Sequence, residues 1–284
     1  MYVFNAEMAA DACVRWIRKW FDENGKGCNA VIGISGGKDS TVVAALCVKA
    51  LGRDRVIGVM MPNGIQPDIA DSREVIRNLG IRAAEHNIKD AYDAMLGPMT
   101  DLQNIARATG FIDFPSRQAK ENLPPRLRMA ALYLVAQCFN GRVSNNCNLS
   151  ENWIGYSTIY GDTAGDFSPI SCFTASEVVA IGRTLGIPER FLVKPPSDGL
   201  CGQTDEDKLG FTYKLLDEYL REPDLYTEAA IEGRNISQSE KDTIRAAIEK
   251  IGRLHRQNSF KHMPMAAFKL PMAAFKWSTP CMEW

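Results

Sequence analysis

Apolar and polar positions follow two distinct periods in the first part of the chain. Between residues 5 and 23, Ala9, Ala12, Cys13, Trp16, Ile17, Trp20 and Phe21 recur at the spacing of one helix face, with charges between them, and Asn24-Gly25 marks the stop. The run NAVIGI (29–34) is short, apolar and rich in β-branched residues, which predicts a buried strand. Ser40 to Leu51 is helical in pattern and stops at Gly52. RVIGVMMP (55–62) predicts a second buried strand, closed by Pro62-Asn63-Gly64. Asp68 to Leu79 is helical and ends at Gly80, and IRAAEHNI (81–88) reads as a third strand. Strands alternating with helices across short turns predict an α/β fold, a doubly wound parallel sheet of about five strands with flanking helices. Sheets of this kind take ligands beyond the carboxyl ends of their strands.

The second part is less regular at first. Residues 97–125, with Gly110, Pro115, Pro124 and Pro125, read as a mobile loop region. LRMAALYLVAQCF (127–139) is helical, and RVSNNCN (142–148) resembles a strand running into a loop. Polar turns fill 151–175 around Gly155, Gly161 and Gly165. Helical patterns over 176–185, 205–221 and 236–256 predict a helical C-terminal region. The tail holds a near-duplicate, PMAAFKL (264–270) and PMAAFKW (271–277), too short for a repeat architecture and without evident chemistry.

Composition narrows the classes. Of 284 residues, 45% are hydrophobic and 24% charged, enough apolar mass for a sizeable core. A net charge of −1 offers no global basic field for nucleic acid. No apolar run reaches membrane-spanning length, and the N-terminus lacks the layout of a secretory signal. Eight cysteines are scattered without a Cys-x-x-Cys pair, which fits a reducing cytoplasm better than a disulfide framework or a zinc site.

The chemistry concentrates at the end of the first strand, GISGGKDST (33–41). Adjacent glycines let the backbone turn sharply and approach a bulky anion. The helix that follows presents unpaired N–H groups and the positive end of its dipole, a phosphate cradle. Ser35 and Ser40 add hydroxyl donors. Asp39 would repel a phosphate unless a divalent cation bridged the two, and Mg²⁺ binds carboxylates together with phosphate oxygens. The alternative is a glycine-rich turn in which Asp39 only favours a helix N-terminus. The run is neither a Walker loop nor a dinucleotide-binding Gly-x-Gly-x-x-Gly.

SGGKDS resembles the signature of the ATP pyrophosphatase (adenine nucleotide α hydrolase-like) family, whose members cleave ATP to AMP and pyrophosphate. Four further blocks, ENLPPRLRMAALYLVAQ (121–137), SNNCNLSENWIGYSTIYGDTAGDFSPI (144–170), KPPSDGL (194–200) and GQTDEDKLGFTYKLLDEYL (202–220), are similar in order to the ammonia-dependent NAD synthetases. The similarity spans about 29–264, so the chain divides into an N-terminal helix (1–28), a core (29–264) and a tail (265–284) of one unit. The resemblance implies that ATP adenylates the carboxylate of nicotinic acid adenine dinucleotide and ammonia displaces AMP to give NAD. It implies further that Gly33, Ile34, Ser35, Gly36, Gly37, Lys38, Asp39, Ser40, Met61, Gln66, Arg128, Asn146 and Ser197 contact ATP. Arg126, Asp166 and Lys261 would contact the dinucleotide, Asp39 and Glu151 would hold Mg²⁺, and Asp162 would receive ammonia. A cytoplasmic homodimer is expected, with no amidase domain and no nucleic-acid or membrane partner.

The chain departs from that family at four places. Asn146 stands where Thr is common, Ala175 and Ile159 where Lys is common, and Phe260-Lys261 where His-Lys is common. A missing ammonium at 175 would weaken the hold on the triphosphate, and Lys38 offers a replacement charge. The alternatives are another ATP pyrophosphatase, GMP synthetase-like or tRNA thiolase-like with Cys147 and Cys201 as its loop cysteines, or a nucleotide-binding protein with impaired catalysis.

Overall fold

The computed structural model describes residues 2–97, 99–111, 113–194 and 205–263. In chain order the elements are α1 (Ala6–Asn24), β1 (Asn29–Gly33), α2 (Lys38–Leu51), β2 (Val56–Met60), α3 (Ile69–Leu79), β3 (Arg82–Glu85), α4 (Lys89–Leu96), α5 (Thr100–Ala108), α6 (Arg117–Cys138) and β4 (Gly141–Val143). Then come α7 (Leu149–Ile154), α8 (Ala175–Thr184), α9 (Glu189–Leu192), α10 (Asp205–Leu209), α11 (Tyr213–Arg221), α12 (Glu228–Glu232) and α13 (Gln238–Asn258). Ser197, Cys201 and the tail repeat lie outside the described residues.

The strands form one parallel sheet in the order β3-β2-β1-β4, with Ala30 opposite Val56, Asn29 opposite Gly141 and Ile57 opposite Arg82. Successive side chains of a strand face opposite sides. Ala30 and Ile32 therefore pack with Val42, Leu46 and Ile181, beneath α1, α2 and α8. Val31, Val59 and Val143 pack on the other side against Ala131 and Ala136 of α6. Both faces of β1 are dry, which is why its sequence reads as an unbroken apolar run. Gly141 lets β4 sit close to both β1 and α6, because a Cβ there would lie 2.5 Å from Val31 Cγ2 and 3.1 Å from Ala136 Cα.

The expected count of about five strands is corrected to four among the described residues. Past β4, among the described residues, a single parallel bridge, Ser144 to Phe167, extends the sheet. The glycine-rich turns that follow offer no apolar run to pair. Residues 97–125 are also more ordered than a loop. They contain α5 and the start of α6, and α6 carries Pro124 and Pro125 inside it. Each proline removes one i→i−4 bond. The carbonyls left over belong to Lys120, which is exposed, and Glu121, which is half-buried, so water can reach that side. The single helix expected over 205–221 is broken at Gly210, which has φ +70°.

Helix α1 buries Ala10, Cys13, Val14, Ile17 and Phe21. Phe21 and Trp20 lie 5.1 and 5.2 Å from the Phe167 ring. Each large side chain so buried contributes roughly 1.5–3 kcal/mol. The C-terminal helices gather their own core, with Ile154, Ala175, Phe211, Tyr213, Leu216 and Ile251 at its centre.

Candidate active site

The turn after β1 behaves as its glycines predict. Gly36 has φ +77°, and a Cβ there would come within 2.9 Å of Asp71 Cβ. Ile34 is held by its N–H to the Val59 carbonyl at 2.9 Å. Gly37 opens α2, and no side chain caps that helix end. The hydroxyls of Ser35 and Ser40 lie 3.2 Å apart, and Thr41 Oγ1 donates to the Gly37 carbonyl at 2.7 Å. The Ser35 residue is exposed at the mouth of the turn. A strand end, a tight bend and an uncapped helix start together leave first-turn amides facing outward for an anion.

Two acids meet beside this turn. Asp39 Oδ2 takes a hydrogen bond from Lys38 Nζ at 2.7 Å, and Asp39 Oδ1 takes one from Asn148 Nδ2 at 3.1 Å. Asn148 also caps α7: its Oδ1 accepts from Glu151 N at 3.0 Å, while Asn148 N donates to Glu151 Oε2 at 3.2 Å. This reciprocal cap fixes Glu151 and joins it to Asp39 through one buried side chain. Burial, followed by the charge of Asp39, pushes the Glu151 carboxyl up to about 8, with Lys38 opposing. Asp162 also acts on Glu151. Thus the three acids named from sequence share one electrostatic neighbourhood.

Asp162 is open to solvent but sits in a concavity crowded by protein. That crowding raises its carboxyl above the usual range, against the Thr158 N–H that donates to it at 2.7 Å. Arg128 is drawn in, its Nε donating to the Met61 carbonyl at 3.0 Å. Burial lowers the Arg128 pKa, and Asp162 acts against that. Lys261 Nζ donates to the carbonyls of Gly155 and Ser157 at 2.8 and 2.9 Å; burial lowers it too, again with Asp162 opposing. Asn146 reaches back to the Gly33 carbonyl at 3.2 Å, at the carboxyl end of β1.

Other predicted residues lie further out or are already engaged. Arg126 donates to the Ile159 carbonyl at 3.3 Å, on the surface of α6. Asp166 accepts from Val143 N at 2.7 Å and from Tyr133 Oη at 3.2 Å, which ties it to the sheet. Gln66 is turned to Asp68 at 2.8 Å, while Met61 packs against Gly33. Phe260 is exposed, and Ala175 is buried with its N–H on Ser150 Oγ at 3.0 Å. Cys147 is buried and its thiol is raised by that burial, so it is a poor nucleophile.

Sequence reasoning missed two residues. Asn148 was visible only as the start of an Asn-x-x-Glu cap pattern, which speaks of a helix and not of a site. Tyr213 lies near the acids with a buried hydroxyl that has no hydrogen-bond partner among the described residues.

The donor set suits a hard divalent cation. Burial and the charge of Asp39 disfavour the ionised form of Glu151, and a divalent cation between the two would relieve it. No group of three or more His, Cys, Asp or Glu side chains is placed to hold a metal among the described residues. A cation here would depend on oxygens brought by the ligand, the habit of Mg²⁺.

Comparison with known proteins decides the family. The profile of the NAD synthase family matches residues 9–264. The chain belongs to the NAD synthase family. An NH₃-dependent NAD⁺ synthetase of Finegoldia magna is 37% identical over 229 residues, 79% of this chain and 90% of that one. Its counterpart in Pyrococcus furiosus is 39% identical over 217 residues, 76% and 78% of the two chains. Among solved structures, the NMN synthetase of Francisella tularensis superposes with a TM-score of 0.74 at 31% identity, covering 94% of this chain and all of that one. Family membership agrees with the α/β fold read from the strand–helix alternation. No described helix is long and apolar enough to cross a membrane.

Proposed function

We infer that the chain amidates nicotinic acid adenine dinucleotide with ammonia at the expense of ATP, releasing AMP and pyrophosphate. The family supplies the reaction class, and the cluster of Asp39, Glu151 and Asp162 beside the uncapped start of α2 is the observation that supports it most. In this reading the turn at 33–40 seats the departing pyrophosphate with backbone amides and the hydroxyls of Ser35 and Ser40. Arg128 and Asn146 line the nucleotide side, Met61 and Gln66 border the adenine, and Ser197, which lies outside the described residues, is assigned to ATP by the family resemblance alone. Arg126, Asp166 and Lys261 face the dinucleotide. The nicotinate carboxylate attacks the α-phosphorus and expels pyrophosphate. Asp162 holds ammonium and takes its proton. The freed lone pair forms the C–N bond as the C–O bond to AMP breaks, and the nitrogen sheds its second surplus proton to solvent.

Asp39 and Glu151 would hold Mg²⁺, which supplies charge neutralisation to the polyphosphate when bound. We also propose a cytoplasmic homodimer built as one unit from residues 1–284. The exposed apolar side chains of Ile105 on α5 and Leu134 on α6 provide surface for it, and free cysteines suit a reducing compartment. A second reading, favoured by the likeness to the Francisella enzyme, makes the acceptor a mononucleotide and the product NMN.

The test supplies ATP, Mg²⁺ and ammonium with nicotinic acid adenine dinucleotide or nicotinic acid mononucleotide in turn. AMP and NAD are expected from the dinucleotide. AMP formed only with the mononucleotide selects the second reading, and no AMP with either defeats both.

A further inference from the structure

Lysine is almost never buried unless it is paired. The Lys38 side chain is only 11% exposed and lies 2.7 Å from Asp39 Oδ2. It occupies the first position of α2, directly after the glycines, so its backbone borders the anion cradle. Its Nζ lies 5.9 Å from the centre of the Tyr213 ring, within reach of a cation–π attraction. Glu151 and Asp205 also act on the ammonium and favour its charged form. The two oxygens of Asp39 are therefore divided. Asn148, locked by its own cap, holds Oδ1; Lys38, on a flexible stem, holds Oδ2. A divalent cation that approaches Asp39 meets the ammonium first.

We propose that Lys38 is a tethered counter-ion that occupies Asp39 before nucleotide binds and passes to the phosphates of the nucleotide when a metal takes its place. This rests on the ATP-dependent reading above. Such a lysine opposes bare metal and favours metal that arrives with nucleotide. One side chain thus acts in opposite senses on the two ligands. A lysine that only braced the fold would act in the same sense on both.

The experiment measures two affinities by calorimetry in wild type and Lys38→Met: Mn²⁺ alone, and a non-hydrolysable ATP analogue with saturating Mg²⁺. Lys38→Met is expected to bind Mn²⁺ about tenfold tighter and the analogue about tenfold weaker. Lys38→Arg keeps the charge and should hold Mn²⁺ as weakly as wild type. Unchanged Mn²⁺ affinity in Lys38→Met, or a fall in both affinities, overturns the proposal. If Lys38→Met fails to fold, wild-type crystals soaked with Mn²⁺ and the analogue decide: Lys38 Nζ should leave Asp39 for a phosphate oxygen, and a retained Lys38–Asp39 bond refutes the exchange. The assay of the previous section separates the two levels. AMP formation without the crossed shifts removes only the role of Lys38, whereas no AMP removes the reading beneath it.

Discussion

Asn148 is fully buried, and its amide is used at both ends, toward Asp39 and toward the Glu151 backbone. Two substitutions separate its duties. Asn148→Ala should lose ~1–2 kcal/mol of stability with the cap, and roughly 10–100-fold in turnover with the alignment of the acids. Asn148→Asp keeps a good cap but sets a second buried carboxylate against Asp39, so its melting temperature should fall at pH 7 and recover part of the loss in acid, while turnover falls as far. Thermal melts beside steady-state rates check both. Asp39, Glu151 and Asp162 were legible in the sequence because each sits in a short block with recognisable neighbours. Asn148 and Tyr213 were not, because their reach is tertiary. Asn148 meets Asp39 across 109 positions of chain, and Lys38 finds the Tyr213 ring only once the C-terminal helices have closed on the loop.

Elements carry the site by how closely they approach one another. Helix α7 ends at Gly155, whose φ is +64°, and a Cβ there would fall 2.1 Å from Asn258 Cβ at the end of α13. Gly155→Ala should therefore cost about 1–3 kcal/mol, from the left-handed backbone alone and more from the clash. Adding Asn258→Gly should return part of that loss, which urea unfolding of the single and double variants would read as a coupling energy. A second tie sets the other end of α7: Ser150 Oγ donates to Asp217 at 2.5 Å, and Asp217 also receives Ser176 N from α8 at 2.7 Å. Strand and helix identities along residues 5–90 followed from hydrophobic period and glycine stops. The start of α6 escaped detection because its proline pair is a strong local breaker. It is overridden by burial of Pro124 against the fold and by solvent on the opposite side.

Across the whole molecule, the buried Glu177 joins α8 to α11 and to the N-terminal segment. It accepts from Arg221 at 2.6 and 2.7 Å and from Tyr2 Oη at 2.6 Å. Burial alone would raise its carboxyl, but the bonds from Arg221 and Tyr2 outweigh that and hold its pKa below the ordinary 4.5. A depressed carboxylate stabilises the fold fully above its unfolded pKa and loses that contribution as acid titrates the folded form. Glu177→Gln should thus be less stable than wild type by about 3 kcal/mol at neutral pH, with the gap closing in acid below the ordinary value. Denaturant midpoints across a pH series measure it. At the same scale, α6 is a single rod that carries Arg126 toward the 155–165 loop, Arg128 toward β2 and Tyr133 toward Asp166. Side chains two positions apart on a helix point about 200° from each other. Turning the rod to re-aim one guanidinium would therefore swing its neighbour off target. Adaptation to a smaller or larger acceptor must accordingly be written in the loops around α6, while the helix itself behaves as a fixed axle.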